Sequence, residues 1–360
     1  MENLRAFFSD SETDSALKQR FKLLSVEQPK LRRREQAQYL QVSEAALIDQ
    51  HCGVTSVRLS TSFADIIKAL PSLGYIMTLT RNDSAVHERK GVYSNVSVRG
   101  PMGLVISEDR KIDLRIIVSR WASGFAVQES MKDGYRYSLQ FFDCAGTAIQ
   151  KIYLQPSSDA QAFATLINQF NDADSAPLSF SDLPAEPDTV DSIQVDKQAL
   201  IDEWQGMTNV HQFFGMLKKY QISREQAFEI VGAPLAQPVD PRQMADFLAK
   251  IAQSDLSIMC FVGNYGNIQI HTGAIETVKK VGPWLNILDP EFNLHLLEDN
   301  VANAWLVKKP TVDGDVTSLE LYDEKGVTIA QFFGQRNEGE TENPQWRTMV
   351  ESLLVEETVV

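Results

Sequence analysis

Few residues in this chain stand in patterns that do chemistry. The five histidines are His51, His87, His211, His271 and His295, and no two have a short ligand spacing such as i, i+4. A local zinc motif is therefore excluded. The three cysteines, Cys52, Cys144 and Cys260, are odd in number, far apart and without a C-x-x-C. That spacing argues against a disulfide framework and fits a reducing compartment. The chain also has no G-x-S-x-G, no P-loop, no H-E-x-x-H and no Rossmann fingerprint.

His211 stands apart. In Asn209-Val-His-Gln-Phe-Phe-Gly-Met-Leu-Lys-Lys-Tyr220, Val210, Phe213, Phe214 and Leu217 fall at i, i+3, i+4 and i+7. That is the stripe of an amphipathic helix. Asn209 or Thr208 is a good N-cap, which puts His211 in the first turn. The dipole there disfavours imidazolium, and neutral imidazole is the form that binds metal. Gly215 costs such a helix roughly 1 kcal/mol relative to alanine and leaves room for a flat ligand. The plainer reading is a histidine on a core-packed helix. His87 and His271 are approximate repeat equivalents and read as structural. His51, beside Cys52 and a glycine, reads as a loop residue.

The cationic candidates are Arg115 and Arg336. Arg115 lies in Ile112-Asp-Leu-Arg-Ile-Ile-Val118, and Arg336 closes Gln331-Phe-Phe-Gly-Gln-Arg336. On a strand, Arg115 points away from Leu114 and Ile116. It either pairs with Asp113 on the same face or faces a cavity. Lys308-Lys309-Pro310 closes a strand and reads as a solvated turn. Arg32-Arg33-Arg34 reads as the polar face of a helix.

These residues are positioned by a chain that repeats itself. Ser138-Leu-Gln-Phe-Phe-Asp-Cys-Ala-Gly146 matches Ser318-Leu-Glu-Leu-Tyr-Asp-Glu-Lys-Gly326 at 318 − 138 = 180. Leu114, Ala122 and Val127 match Leu294, Ala302 and Val307 at the same offset. Ala64-Asp65 with Ala245-Asp246, Asn82 with Asn264, and Ser43-Glu44 with Ser223-Arg224 extend the frame. A nearly constant offset over more than a hundred residues is read as a duplication. At offset 180 Leu31 stands opposite His211, so one site per chain is expected.

Each copy opens with helical stretches, from Thr13 through Ile48 and from Ala199 to Ala233. In the first copy strands are expected at Tyr75–Thr80, Gly91–Val98, Leu104–Ile106, Ile112–Val118, Gly124–Glu129, Tyr135–Asp143 and Ala148–Leu154. Turn signals at Asp133-Gly134, Gly146, Asp313-Gly314 and Gly326 separate the strands of the two copies. Short helices at Asp159–Phe170 and Pro344–Leu354 close them. The expected fold class is α+β: an internal duplication, two halves each with a large antiparallel sheet flanked by helices. The expected domains are 1–170, an acidic, proline-containing linker over 171–196, and 197–360. The linker holds Asp172, Asp174, Asp182, Glu186, Asp188, Asp191 and Asp196 with Pro177, Pro184 and Pro187, and no Lys or Arg.

Composition narrows the partners. Over 360 residues, 34 Lys plus Arg against 48 Asp plus Glu leave a net charge of −14. A surface this acidic repels phosphate, so nucleic acid is not the expected partner. No apolar run approaches the ~20 residues that span a bilayer, so stable membrane insertion is not expected. Met1 to Asp10 lacks the pattern of a secretory signal.

Gln269-Ile-His-Thr-Gly273 and Gly282-Pro-Trp-Leu-Asn-Ile-Leu-Asp-Pro-Glu-Phe-Asn-Leu-His295 resemble the signature of the hemin-degrading factors of the HemS/ChuS/HmuS type. Thr80-Arg-Asn-Asp-Ser-Ala-Val-His-Glu-Arg-Lys-Gly-Val-Tyr93 and Asp113-Leu-Arg115 resemble its first-half counterparts, and the similarity spans nearly the whole chain. The resemblance implies a cytoplasmic bacterial protein with two nine-stranded antiparallel sheets and a haem held on the C-terminal half. It places the axial ligand of the haem iron on His211 and a distal-face arginine on Arg115. It places propionate contacts on Lys309, with Lys308 beside it, and on Arg336. Phe333 stands where the family has a tyrosine, so a hydroxyl contact from that position is lost.

The function implied is reductive, oxygen-dependent ring opening that releases iron, with haem as ligand and substrate. An external reductant and dioxygen would be consumed, and Arg115 would donate a hydrogen bond to an oxygen ligand. The alternative is a carrier that stores haem and passes it on, which brings in a haem-uptake transporter or a haem acceptor protein as partner. A module for another planar or anionic ligand is the third reading.

Overall fold

Short apolar segments separated by tight turns build most of this protein. The computed structural model describes residues 2–8, 15–172, 178–185, 189–337 and 339–354. In the first copy the strands are Ser56–Leu59 (β1), Tyr75–Arg81 (β2), Ala85–Val92 (β3), Val96–Arg99 (β4), Met102–Ile106 (β5), Asp113–Ile117 (β6), Ser123–Met131 (β7), Gly134–Phe142 (β8) and Ala148–Leu154 (β9). In the second they are Ala236–Val239 (β10), Ile258–Gly263 (β11), Asn267–Gly273 (β12), Val278–Val281 (β13), Trp284–Leu288 (β14), Phe292–Leu297 (β15), Asn303–Lys309 (β16), Val316–Tyr322 (β17) and Thr328–Gly334 (β18).

Two nine-stranded sheets result, with orders β1-β7-β8-β9-β2-β3-β15-β14-β13 and β10-β16-β17-β18-β11-β12-β6-β5-β4. The second order is the first with the two copies interchanged. The duplication is thus present in topology as well as in sequence, and the fold is α+β with large antiparallel sheets flanked by helices.

The helices are Ala16–Glu27 (α1), Arg33–Leu40 (α2), Glu44–Asp49 (α3), Phe63–Ala69 (α4), Ala160–Phe170 (α5), Lys197–Gln205 (α6), Gln212–Tyr220 (α7), Arg224–Val231 (α8), Met244–Ala252 (α9) and Pro344–Glu351 (α10). The long helical stretch expected from Thr13 breaks into α1, α2 and α3, and Thr13 itself lies outside the described residues. Left-handed residues end α2 at Gln41 (φ 57°) and α7 at Gln221 (φ 54°), one repeat apart. Two residues later Ser43 and Ser223 cap the next helices through their side chains.

The expected strand Gly91–Val98 is two strands, β3 and β4. Asn95 adopts a positive φ of 51°, and the buried Tyr93 hydroxyl accepts from Gln150 Nε2 at 2.7 Å. Both features pin the chain where an extended strand would have to continue. Elsewhere the turn signals hold. Gly146 and Gly326 take φ of 75° and 74°, a region that favours glycine. Asp143 accepts from the Ala145 and Thr147 N–H groups, and Asp323 from those of Lys325 and Val327, all at 2.9 Å. The Asp-x-x-Gly common to both copies is therefore a turn device.

The chain divides into two compact units, neither of them contiguous. The first holds Met1–Arg81, Glu88–Pro184 and Asn264–Gln269; the second holds Asn82–His87, Ala185–Gly263 and Ile270–Val360. Each unit contains six residues from the other copy. Asparagines open both exchanged segments. In the first unit Asn264 donates to the Arg81 carbonyl (3.0 Å) and the Ile149 carbonyl (2.7 Å) and accepts from the Gly266 and Asn267 N–H groups. In the second, Asn82 donates to the Gly263 carbonyl (3.1 Å) and the Ile329 carbonyl (2.8 Å) and accepts from Ser84 and Ala85.

The first unit has its main core around Phe63, Leu114, Ile116, Trp121 and Phe141, drawn from strands of both sheets. The second has two: one around Phe247, Leu294, Phe332 and Trp346, and another where α6, α7 and α8 cover β16 and β17. In the linker, Asp174, Pro177, Glu186, Pro187 and Asp188 lie outside the described residues. Asp191 and Asp196 cap the turns that lead into α6.

Candidate functional site

His211 is the N-cap of α7, one position before the first turn where periodicity alone would put it. The cause is the preceding turn. Gln212 Oε1 accepts from the Thr208 and Asn209 N–H groups at 2.7 and 3.0 Å, and Asn209 Oδ1 accepts from the His211 N–H at 2.9 Å. These bonds fix the backbone of His211 and leave its imidazole exposed.

The buried side of α7 is Phe213, Met216 and Leu217. Phe214, expected in the apolar stripe, instead points outward and is 74% exposed. A Cβ at Gly215 would meet nothing within 4 Å. His211, Phe214 and Gly215 therefore form an open face one turn long. An imidazole and an aromatic ring are thus presented side by side to solvent.

The inner side of α7 rests on charge. Phe213 packs against Trp204, with centroids 4.6 Å apart. Lys309 Nζ and Arg224 Cζ each lie 4.9 Å from the Phe213 centroid. The solvated-turn reading fails at Lys309, which is buried. Its Nζ donates to Glu320 at 2.6 Å and to Ser318 at 3.3 Å. Lys308, next on the strand and facing the other way, pairs with Glu351 at 2.7 Å.

Burial pulls the Lys309 amine down to about 8, with Arg224 adding to the effect and Glu320 opposing it. Burial alone would raise the Glu320 carboxyl, but Arg224 and Lys309 hold it far below the usual carboxylate range. Two cations against one carboxylate leave this cluster with one unbalanced positive charge.

Arg224 was not among the residues singled out from sequence. The available signal was the charge reversal within the repeat, Ser43-Glu44 against Ser223-Arg224. Glu320, the one charged residue of β17, was a second signal. Phe333 is half-buried on β18, paired in register with Met259 and Ser318, and its ring lies 5.0 Å from Phe261. Arg336 follows β18 and donates to the Glu340 carbonyl at 3.1 Å. The structure therefore brings Lys309 to the helix of His211 and holds Arg336 within its own loop.

Arg115 belongs to the first unit. It hydrogen-bonds Asp113, as the plainer reading expects, and keeps a side chain 32% exposed. Burial pushes the Asp113 carboxyl up, against the lowering influence of Arg115 and Arg110. In register, Arg115 stands between Leu104 on β5 and Ile268 on β12, and both are partly exposed. Arg115 is thus flanked across the sheet by two partly exposed apolar side chains and paired along its own strand to Asp113.

The structure buries His87 and His271. The His271 ring stacks on Phe292 at 3.7 Å. His51 is also buried, its Nδ1 2.8 Å from the Leu47 carbonyl. Among the described residues no group of three or more His, Cys, Asp or Glu is arranged to hold a metal ion. No helix among them is long and apolar enough to cross a membrane.

Known proteins resemble this chain over nearly their whole length. The hemin transport protein HmuS of Yersinia pestis is 38% identical over 341 residues, covering 95% of this chain and 98% of the relative. The solved structure of holo-PhuS, a heme-binding protein from Pseudomonas aeruginosa, superimposes with a TM-score of 0.92 at 40% identity, covering 95% and 99% of the two chains. ChuS, an E. coli heme oxygenase, superimposes with a TM-score of 0.85 at 38% identity, covering 94% and 100%. The haemin-degrading HemS.ChuX domain matches residues 41–170 and again 221–353, one match per copy, and the chain belongs to that family.

Proposed function

We propose that this protein binds haem through His211 and degrades it by reductive, oxygen-dependent ring opening that releases iron. The observation that carries the reading is the open face of α7, with an exposed imidazole, an exposed Phe214 and the vacant side of Gly215. The residues present fit a haem. An imidazole suits the iron, and Arg224, 28% exposed beside the buried Lys309, offers positive charge to a carboxylate. Haem supplies the redox chemistry when bound; an external reductant and dioxygen are consumed with it.

The protein's own residues bind and orient. His211 anchors the iron, and its backbone is fixed by Asn209 and Gln212. Lys309 and Arg224 take a propionate. Arg115 is assigned the donor role toward an oxygen ligand. The side chain is paired to Asp113 yet 32% exposed, so guanidinium N–H groups outside that pair remain for a ligand. Arg336 and Phe333 are assigned to the rim, Phe333 by ring contact alone. We place the protein in the cytoplasm.

The second reading, a carrier that stores haem and delivers it to an acceptor protein, is favoured by the name of the Yersinia relative, a hemin transport protein. One experiment separates the two. Haem titration of the wild type should give a Soret band, and His211→Ala should weaken binding at least ~10-fold, about 1.4 kcal/mol. Reductant and oxygen are then added with catalase present. Loss of the Soret band to a defined tetrapyrrole supports degradation; a stable band supports the carrier. Unchanged affinity and spectrum in His211→Ala would remove the haem reading.

A further inference from the structure

The function above leaves Glu320 without a task, although no carboxylate in the second unit is more heavily bonded among the described residues. Its side chain is fully buried in β17. Oε1 accepts from Lys309 Nζ (2.6 Å), Ser318 Oγ (2.8 Å) and Arg224 Nη2 (2.9 Å). Oε2 accepts from Arg224 Nε (3.1 Å) and Nη2 (2.6 Å), the Tyr322 hydroxyl (2.6 Å) and Gln331 Nε2 (2.8 Å). Buried ion clusters contribute little net stability compared with well-packed apolar residues. Stability is therefore a poor reason for this one.

The repeat supplies a control within the chain. At offset 180 the first copy has Glu44, Glu129, Gln140, Phe142 and Lys151 where the second has Arg224, Lys309, Glu320, Tyr322 and Gln331. Only the serine, Ser138 and Ser318, is shared. In the first copy Glu44 pairs with Lys151, and Glu129 with Arg136. There each acid has a nearby cation of its own, and position 140 is a neutral amide. An acid appears at this position only in the copy that carries the histidine, together with two cations that it cannot fully neutralise.

We propose that Glu320 is a positioning residue that holds Lys309 and Arg224 together against the Phe213 ring, leaving one positive charge for a single ligand carboxylate. The inference rests on the assignment of those two cations to a propionate. Glu320 acts in two ways. It fixes both cations by hydrogen bonds, and it keeps the buried Lys309 amine protonated. The groups facing Lys309 are Glu320, Tyr322 and Ser318 from β17, Arg224 from α8 and the Phe213 ring from α7. Gln331 of β18 reaches the same carboxylate. Glu320 is the one anion in that set, so its removal leaves Lys309 facing Arg224 alone.

The test reads Lys309 directly, without turnover. The 13C chemical shift of the lysine ε-carbon is followed against pH in the ligand-free protein and assigned by Lys309→Arg. The wild-type midpoint is expected near 8, and Glu320→Gln is expected to lower it by about one pH unit or more. Saturation of the wild type with haem is expected to raise the midpoint, whereas haem dimethyl ester, which lacks free carboxylates, leaves it in place. At pH 9 the haem Kd is expected to be ~10-fold weaker in Glu320→Gln than in wild type, with a ratio near ~1 at pH 6.5. An unchanged midpoint in Glu320→Gln overturns the proposal. So does an equal midpoint with haem and with its ester, which decides the matter even where Glu320→Gln does not fold. Failure of the haem reading itself shows separately, as wild-type affinity in His211→Ala.

Discussion

Charge at single residues sets how this protein responds to pH. Glu320 has a depressed folded-state pKa. Its contribution to stability is therefore present above the unfolded carboxylate value of 4.5 and is lost as pH falls toward the folded value. Lys309 is depressed from 10.5 to about 8, so between those values the unfolded chain holds more protons, and this lysine makes stability rise with pH. Denaturant melts from pH 3 to 10 should show both limbs. Glu320→Gln should flatten the acid limb, and Lys309→Met the alkaline one. Arg115 makes a different prediction. Arg115→Ala should leave haem affinity within ~3-fold, since the anchor is elsewhere, but slow ring opening ~10-fold or more and alter the sixth-ligand spectrum. Equal turnover in the variant would remove Arg115 from the chemistry.

The two faces of one helix separate folding from binding. Phe213 is buried against Trp204 and Phe228. Phe213→Ala should cost ~3–5 kcal/mol, seen as an earlier denaturant midpoint. Phe214 is mostly exposed, so Phe214→Ala should change stability by less than ~0.5 kcal/mol yet weaken haem binding measurably. The stripe read from sequence placed both phenylalanines on one face. Val210, Phe213, Phe214 and Leu217 make an apparent stripe, but Phe213, Met216, Leu217 and Tyr220 have the same i, i+3, i+4, i+7 spacing without Phe214, and it is the first three of these that are buried. Turns were more legible than faces, because Asp143 with Gly146 and Asp323 with Gly326 act through their own backbone and need no tertiary information. The break at Asn95 was not legible, since it depends on a buried tyrosine bonded to a distant glutamine.

Over the whole molecule, the duplication and the strand content could be read from a constant offset and alternating residues. The exchange of six-residue segments could not. Asn82 and Asn264 were visible as matching letters, but their role depends on carbonyls from distant strands. Asn264→Ala and Asn82→Ala each leave two such carbonyls and the N–H groups of a turn without their partner, and should each cost about 1–3 kcal/mol. Thermal melts check this, and a Tm within 1 °C of wild type would show that water replaces the amide. The charge cluster at Lys309 was equally hidden. A lysine before a proline looks solvated until α7 and α8 are folded over it, and the acid that completes it lies eleven residues away on the next strand. An overall charge of −14 does not prevent a local cluster of two cations against one carboxylate.

The borrowed segments also set a timetable for biosynthesis. The first unit needs residues Asn264–Gln269, which pair with β6, while the rest of it ends at Pro184. A ribosome adding about 5–20 residues per second takes ~4–16 s to cover the intervening 79 positions, 185–263. Throughout that interval β6 lacks this neighbour, and an unpaired strand edge is a site for off-pathway association. The nascent first copy should therefore depend on trigger-factor-like protection until the second copy emerges. A synonymous-codon slowdown placed between positions 185 and 263 should lower the soluble yield without altering a single residue.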